Sequence, residues 1–531
     1  MNYREAKEYV KQIQVGAKIK PGLEVTGKLM QLLGDHQAGL SFVHVAGTNG
    51  KGSTAAFISS IYAAAVFKVG RFVSPAVFSE RESIQYEQDG KTVYITEEEM
   101  ARHLTAIRAA IEKMARCGDG VPADGVSGDG VPGDGIHADG VPTEFEIETA
   151  AAFLAFADWK CDIVVLETGM GGRLDATNII TTTACAVIAP VAMDHMKFLG
   201  DTIGQIACEK AGIIKEHVPV VMCQHDREAA DCIARTCQEH GCEWREVVPE
   251  NIHIRESALS GTRFDYKQYR DLRISVPGLY QVENACLAIE CVEMLCASEG
   301  DSTLAQYSSS GGDSLFAGDS LLAGDSSSVQ RFSLSEDVIR RGLAAARWRG
   351  RFEIISEKPC VVVDGAHNPD GMNGFLKSVH SYFGKKEKIA VMGVFADKDY
   401  REMAGMIGRT FSHIYTVAPP SERALAAEEL ASALNACARR GAGEMDGEDA
   451  RREAAGTGAV NAERGGTGTE MADAEREAAG MKVANAERVL NRAVACGTLA
   501  EAFDLAKQHR EAVIFVFGSL SLLKGVYDYW D

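Results

Sequence analysis

Seven consecutive residues, Gly47-Thr48-Asn49-Gly50-Lys51-Gly52-Ser53, combine glycines, a lysine and hydroxyls in a pattern suited to holding phosphate. The apolar run Phe42 to Ala46 precedes them, and a helix-favouring run, Thr54 to Ala65, follows. A strand, a glycine-rich turn and a helix in that order aim consecutive backbone N–H groups into one concavity. The helix N-terminus adds partial positive charge and Lys51 adds a full one. The spacing departs from G-x-x-x-x-G-K-[ST]: Val45 stands where the first glycine would be, and the hydroxyl comes at Ser53, after Gly52. The run reads as a nucleotide site, with Lys51 expected to face solvent until phosphate binds.

Three further positions could supply chemistry beside it. The strand-like run 162–167 ends in Glu167 and is followed by Thr168-Gly169-Met170-Gly171-Gly172-Arg173. A carboxylate at the carboxyl end of a buried strand lies on the edge where open α/β sheets bind ligands. Next to a phosphate loop it suits Mg²⁺, a hard cation. His195, in Met193-Asp194-His195, follows the next strand-like run, 184–190, and so falls on the same expected edge. Asp364 ends another buried run and leads into Gly365-Ala366-His367-Asn368-Pro369; it either caps the next helix or reaches a ligand. Lys210, by local pattern alone, is a helix-surface lysine.

The elements that must position these residues alternate between strand and helix, which implies an α/β fold with mainly parallel sheets. Strands are expected at 42–46, 69–73, 162–167, 184–190 and 218–222, with helices at 54–65, 97–114, 145–158, 202–211, 226–239 and 282–296. The pattern restarts after Trp348-Arg349-Gly350-Arg351, which sets an N-terminal domain at 1–348 and a smaller C-terminal one at 349–531. Three low-complexity stretches interrupt the alternation. Residues 117–142 repeat Asp-Gly every five residues, 301–328 repeat Gly-Asp-Ser, and 438–487 are rich in Ala, Glu, Arg and Gly. They read as surface-loop expansions. The first two hold nine Asp and no Lys or Arg, so much of the net charge of −20 lies outside the expected fold. That charge argues against a nucleic-acid surface. No uncharged run reaches the roughly 18–20 residues of a membrane span, and no apolar signal segment opens the chain, so a cytoplasmic protein is expected. The 14 cysteines include no C-x-x-C pair. The trios 232/237/242 and 286/291/296 step about 140° around a helix, so neither lines one face, and all are expected as small core hydrophobes rather than zinc ligands or disulfides.

Seven ordered runs resemble the Mur ligase superfamily, and within it the folylpolyglutamate synthase and dihydrofolate synthase family. They are His44 to Ser53, Leu166 to Asn178, Met193 to Gly200, Glu209 to Ile213, Gln281 to Ala285, Gly350 to Glu353 and Asp364 to Pro369. The resemblance implies a P-loop ATPase domain followed by a Rossmann-like domain, and an ATP-dependent ligase that adds L-glutamate to a folate or to dihydropteroate through an acyl phosphate. It implies ATP as co-substrate and two Mg²⁺ ions. Gly47, Thr48, Asn49, Gly50, Lys51, Gly52 and Ser53 would hold the ATP phosphates, and Asn284, Arg351, Asp364 and His367 would contact the nucleotide. Ser74, Glu167 and His195 would hold metal, Lys210 would be carbamylated, and Phe145 and Asp175 would contact the pterin. One position departs from the family: Ala76 stands where Ser-Pro-His is usual, which bears on the folate-side loop, Val77 to Ile84.

Two other readings stand beside this one. Ligases of the same superfamily that act on peptidoglycan precursors usually carry an extra N-terminal domain, for which a phosphate loop starting at residue 47 leaves no room. A dihydrofolate synthase alone, or a non-catalytic nucleotide-binding regulatory protein, remains as the alternative. Small-molecule substrates, no nucleic acid, no membrane and a monomer are expected.

Overall fold

The computed structural model describes residues 1–16, 22–117, 140–298, 334–408, 410–439 and 493–530, so the three low-complexity stretches fall largely outside the described residues. The chain divides into two compact units, Met1–Ser275 with Gln281–Trp348, and Val276–Tyr280 with Arg349–Asp531.

The first unit is built on an eight-stranded sheet. Its strands are β1 (Phe42–Ala46), β2 (Val69–Phe72), β3 (Ile84–Gln88), β4 (Lys91–Tyr94), β5 (Ile163–Glu167), β6 (Thr183–Ile188), β7 (Val220–Met222) and β8 (Trp244–Glu246), in the order β4-β3-β2-β5-β1-β6-β7-β8. The run from β2 to β8 is parallel, while β3 pairs antiparallel with both β2 and β4. Every residue of β1, β2 and β5 is buried, as expected where helices cover both faces of a parallel sheet. The chain moves from β1 to one side, then crosses from β5 to β6 on the other. Strand order therefore reverses around β1, and the carboxyl ends of β1, β5 and β6 lie side by side, with Val45 in register with Glu167.

Helix Lys51–Ala64 is buried over nearly its whole circumference, from Ser53 to Ala63, and its alanines and serines let neighbouring helices approach closely. Helix Glu336–Ala345 does so at Gly342, where a Cβ would strike the backbone of Ile61, and the Ser60 hydroxyl donates to the Gly342 carbonyl at 2.7 Å. The same unit carries a separate antiparallel sheet of β9 (Ile252–Ala258), β10 (Gly261–Tyr266) and β11 (Tyr269–Ile274).

Cysteine pairing departs from the sequence expectation. A disulfide joins Cys208 and Cys232, whose Cα atoms are 6.2 Å apart, across the packed helices Ile203–Ala211 and Arg227–Glu239. Angular spacing along one helix says nothing about a cysteine facing it from another, which is why the pair escaped the sequence reading.

The second unit holds β12 (Glu353–Glu357), β13 (Cys360–Val363), β14 (Lys388–Met392), β15 (His413–Thr416), β16 (Ala493–Ala495) and β17 (Val513–Phe517), ordered β12-β13-β17-β14-β15-β16. Only β12 is antiparallel to its neighbour. Its core is aromatic: Phe375 packs on Phe517 with centroids 4.7 Å apart, Phe383 on Phe515 at 5.1 Å, and Phe411 on Phe517 at 5.4 Å.

Two expectations follow. Gly342→Val should destabilise the protein by about 1–3 kcal/mol, because the added side chain must push helix Glu336–Ala345 off Ile61; an unchanged urea midpoint would contradict that packing. The second concerns His44 on β1, which is fully buried with Nε2 2.9 Å from Thr177 Oγ1. The Thr177 hydroxyl donates to Asp175 at 2.6 Å, so it accepts from the imidazole, which is then the neutral Nε2–H form. Burial, aided by the Lys215 charge, lowers the His44 pKa to about 3. Between the ordinary value near 6.5 and about 3, the unfolded chain binds a proton that the folded chain refuses. Stability should therefore fall as pH falls through that window, by up to about 1.4 kcal/mol per pH unit from this group. Urea midpoints of wild type and His44→Asn, compared from pH 7 to pH 4, should converge toward the acid end.

Candidate active site

The phosphate loop is held from behind by the segment that follows β6. Gly47 has φ of +150°, and a Cβ there would lie 2.7 Å from Ala189 Cβ. The N–H groups of Thr48 and Asn49 donate to the Pro190 carbonyl at 2.9 and 3.3 Å. The Thr48 hydroxyl donates to the Ala192 carbonyl and accepts from the Ala192 N–H, both at 3.0 Å. Gly50 sits at φ +85° and caps helix Lys51–Ala64 without a side-chain bond. The first intrahelical bond runs from the Thr54 N–H to the Gly50 carbonyl at 2.8 Å. The N–H groups of Lys51, Gly52 and Ser53 therefore lie ahead of that bond, pointing out of the helix N-terminus. Thr48 and Asn49 anchor the loop through their backbone, while the following residues form the cradle.

Charge gathers at the mouth of this cradle. Lys51 Nζ lies 3.9 Å from Glu167 Oε1 and 3.4 Å from the Thr48 carbonyl oxygen. Its side chain is only 16% exposed, so the expectation of a solvent-facing Lys51 is corrected: it folds back over its own loop toward Glu167. The Ser74 N–H approaches the other Glu167 oxygen at 3.4 Å, so these two residues lie side by side. Helix Ile203–Ala211, started by a Thr202–Gln205 capping box, carries Lys210 in its last turn. Lys210 is 4% exposed, and its Nζ donates to the Gly47 carbonyl at 2.8 Å. The surface-lysine reading is thus overturned. The last helical turn faces the back of the phosphate loop, a relation that local periodicity does not contain.

His195 stands at φ +50° as the residue before the short helix Met196–Leu199; it is partly exposed, with its N–H on the Asp194 carboxylate at 2.8 Å. Its segment is the one pinned to the loop through Pro190 and Ala192. Asn284 is buried against Gly50, where a Cβ would overlap its carboxamide, and it donates to Gln281 Oε1 at 3.0 Å. Asp175 is buried, with its carboxylate accepting from the Met170 N–H at 2.8 Å and from the Thr177 N–H at 3.1 Å. Burial raises its pKa while these bonds oppose the rise. It holds the glycine-rich turn after β5 in shape. Phe145 lies under that turn, since a Cβ on Gly169 would be 2.5 Å from its ring, and it packs on Phe72 at 5.9 Å.

Sequence reasoning passed over two residues here. Trp348 lies against Gly52, where a Cβ would come within 2.6 Å of its ring, and Arg71 sits over the same indole at 5.5 Å. Gln224 accepts from the Val191 N–H at 3.0 Å and donates to the carbonyls of Ile188 and Ala189 at 3.1 and 3.2 Å, bracing the segment behind the loop. Its place just past β7, on the same strand edge, was the available signal.

In the second unit Asp364 is buried at the end of β13. It accepts from the Tyr280 hydroxyl at 2.6 Å, the Phe352 N–H at 2.9 Å and the Ala366 N–H at 2.7 Å. Burial raises its pKa against those bonds and the Arg351 charge. Arg351 packs where a Cβ on Gly365 would fall, and His367 Nδ1 is 2.7 Å from the Gly365 carbonyl. Arg351, Asp364 and His367 thus surround one turn.

Residues 120–292 match the Mur ligase middle domain, and residues 350–467 match the Mur ligase glutamate ligase domain. A dihydrofolate synthase/folylpolyglutamate synthase of Bacillus subtilis is 33% identical over 410 residues, covering 76% of this chain and 81% of that protein. The crystal structure of a folylpolyglutamate synthase from Thermotoga maritima superposes with a TM-score of 0.68 at 25% identity, covering 99% of this chain and 96% of that one. A folylpolyglutamate synthase complex with AMPPCP and folate superposes with a TM-score of 0.69 at 26% identity, over 100% and 99% of the two chains. With both Mur ligase domains matched and one third identity over most of both lengths, the chain belongs to the Mur ligase superfamily, in its folylpolyglutamate synthase/dihydrofolate synthase family.

Proposed function

We propose that this chain is an ATP-dependent ligase that joins L-glutamate to the carboxylate of a folate, and that dihydropteroate enters the same site. The observation that carries this reading is the convergence of Lys51, Ser74 and Glu167 at the mouth of one phosphate loop, with Lys210 buried behind it. A substrate carboxylate oxygen attacks the γ-phosphorus of ATP and the bond to ADP breaks, leaving an acyl phosphate. The glutamate amine then attacks the acyl carbon, loses a proton, and inorganic phosphate departs.

In the first step the N–H groups of Lys51, Gly52 and Ser53 hold the phosphate oxygens, and the Lys51 ammonium balances charge spread over the transferred group. Mg²⁺ fits the donors present. Glu167 is 4% exposed and accepts from the Ser74 N–H beside the loop, and its carboxylate and the Ser74 hydroxyl are both hard oxygen donors. Ser74 and Glu167 would hold one ion and His195 would help hold a second. When bound, Mg²⁺ supplies Lewis-acid stabilisation to the phosphoryl oxygens. Asn284 fixes Gly50 and is proposed to meet the nucleotide, as are Arg351, Asp364 and His367. Phe145, with the turn braced by Asp175, is proposed to flank the pterin.

Lys210 is proposed to react as the neutral amine with CO₂, forming an N–C bond and releasing a proton, so that the residue carries a carbamate anion.

The purified chain, given ATP, glutamate and a reduced folate or dihydropteroate, should release ADP only when both other substrates are present. Lys51→Ala should cut that rate at least about a hundredfold without shifting the melting temperature; near-normal turnover at saturating ATP would sink the assignment. Lys210→Arg keeps a cation but forms no carbamate, so it should be as inactive as Lys210→Ala, which short carboxylates such as acetate should partly restore. Wild-type rates for Lys210→Arg in CO₂-depleted buffer would leave Lys210 a structural role alone.

A further inference from the structure

A second group of donors lies on the same unit, away from the carboxylates assigned above. Just past β7 the chain reads Cys223-Gln224-His225, and the start of helix Gln281–Ser298 reads Glu283-Asn284-Ala285-Cys286. His225 Nε2 is 2.8 Å from Glu283 Oε2. The Cys223 sulfur joins them, and one ligand atom from each of Cys223, His225 and Glu283 lies within 4.8 Å of the other two. Cys286 is fully buried one helical turn beyond Glu283, on the same face of the helix.

We infer that Cys223, His225 and Glu283 form a binding site for Zn²⁺, with Cys286 placed to supply a fourth ligand. An imidazole–carboxylate contact with side chains 46% and 27% exposed contributes under about 1 kcal/mol as an ion pair, which gives no reason for a sulfur to face both groups. A thiolate, an imidazole and a carboxylate from two elements are the borderline-soft donor set that zinc takes in four-coordinate sites and that Mg²⁺ does not. Bringing the three onto one ion requires their ligand atoms to settle about 2.0–2.3 Å from a common centre, a contraction within reach of side-chain rotation. Gln224, between two of the ligands, already braces the segment behind the phosphate loop. Asn284, between the other two, packs on Gly50. A metal here would therefore clamp the end of β7 to the turn carrying Asn284. That gives it a structural role beside the nucleotide site and no part in phosphoryl transfer.

The full-length protein, freed of metal with chelator and kept from oxidation, is titrated with Co²⁺ as a spectroscopic probe and then with Zn²⁺. The expected result is one equivalent of Co²⁺ giving an intense tetrahedral visible spectrum and a near-ultraviolet thiolate-to-metal band, both bleached by Zn²⁺. Cys223→Ser should reduce the thiolate band, Cys223→Ser with Cys286→Ser should remove it, and His225→Ala, at a partly exposed position that spares the core, should weaken binding by at least about tenfold. Zn²⁺ should raise the melting temperature of the wild type and not that of His225→Ala. A second group, Glu387, His413 and His509, also brings ligand atoms within 4.8 Å of one another but holds no thiol, so cobalt bound there gives no thiolate band. Absence of the band in the wild type overturns the proposal. So does a band of unchanged intensity and affinity in both Cys223→Ser and His225→Ala, which would place thiolate binding elsewhere.

Discussion

The arrangement at the phosphate loop depends on the backbone of Gly47. Its carbonyl accepts from the buried Lys210 Nζ at 2.8 Å, while its Cα lies so near Ala189 that no side chain fits. Three parts of the chain are thereby held in one place: the end of β1, the segment after β6, and the last turn of helix Ile203–Ala211. Thr48 and Asn49 extend the attachment through Pro190 and Ala192. With the front of the loop pinned to its neighbour, helix Lys51–Ala64 can begin with its N–H groups turned outward.

The charges around that cradle are poorly explained as stabilisers. At 3.9 Å, and with the effective dielectric of a partly buried site, Lys51 and Glu167 attract by about 4 kcal/mol. Withdrawing two ions from water costs several kcal/mol each, so such a pair near break-even adds little to folding. The cost makes sense for a site whose charges are completed by a ligand. In the proposed reaction a polyphosphate would take up the Lys51 charge, and Glu167 would be left to a divalent cation. Lys210 follows the same logic: it is buried behind the loop with its Nζ on the Gly47 carbonyl, and the carbamate proposed for it would turn that place over to an anion. A protein using these residues only for structure would do better with apolar ones of similar volume.

Much of this was legible in the sequence because it follows chain-local rules. β1, β5, β6 and β17 are largely apolar runs, and their burial is what such runs imply in a parallel sheet. Glu167 and Asp364 were found because both follow such runs directly. The antiparallel pieces escaped. β4 is exposed throughout and β9 carries Arg and Glu in a half-exposed ribbon, so neither offers a long apolar run. Lys210 and Trp348 escaped for a different reason. Their places depend on which elements pack against the phosphate loop, and nothing in the few residues around either one records that packing.

The cysteines mark the same boundary. Cys286, Cys291 and Cys296 do share one helix and diverge around it, whereas Cys242 lies past the end of helix Arg227–Glu239, so the same count does not apply to Cys232, Cys237 and Cys242. Yet Cys232 meets Cys208 from the neighbouring helix, and Cys286 stands one turn from a carboxylate that faces Cys223 and His225. Each pairing joins residues on different elements, brought together by the parallel order β1-β6-β7 and the helices that cover it. Ligand and disulfide sites in α/β folds are assembled across elements, because residues at strand ends and helix starts converge on one edge while being far apart in the chain. Spacing within a single helix therefore tests for only the simplest kind of metal site. Exclusion on that ground covers a site built on one face of one helix and leaves the sheet edge, where this chain concentrates its polar side chains, outside its reach.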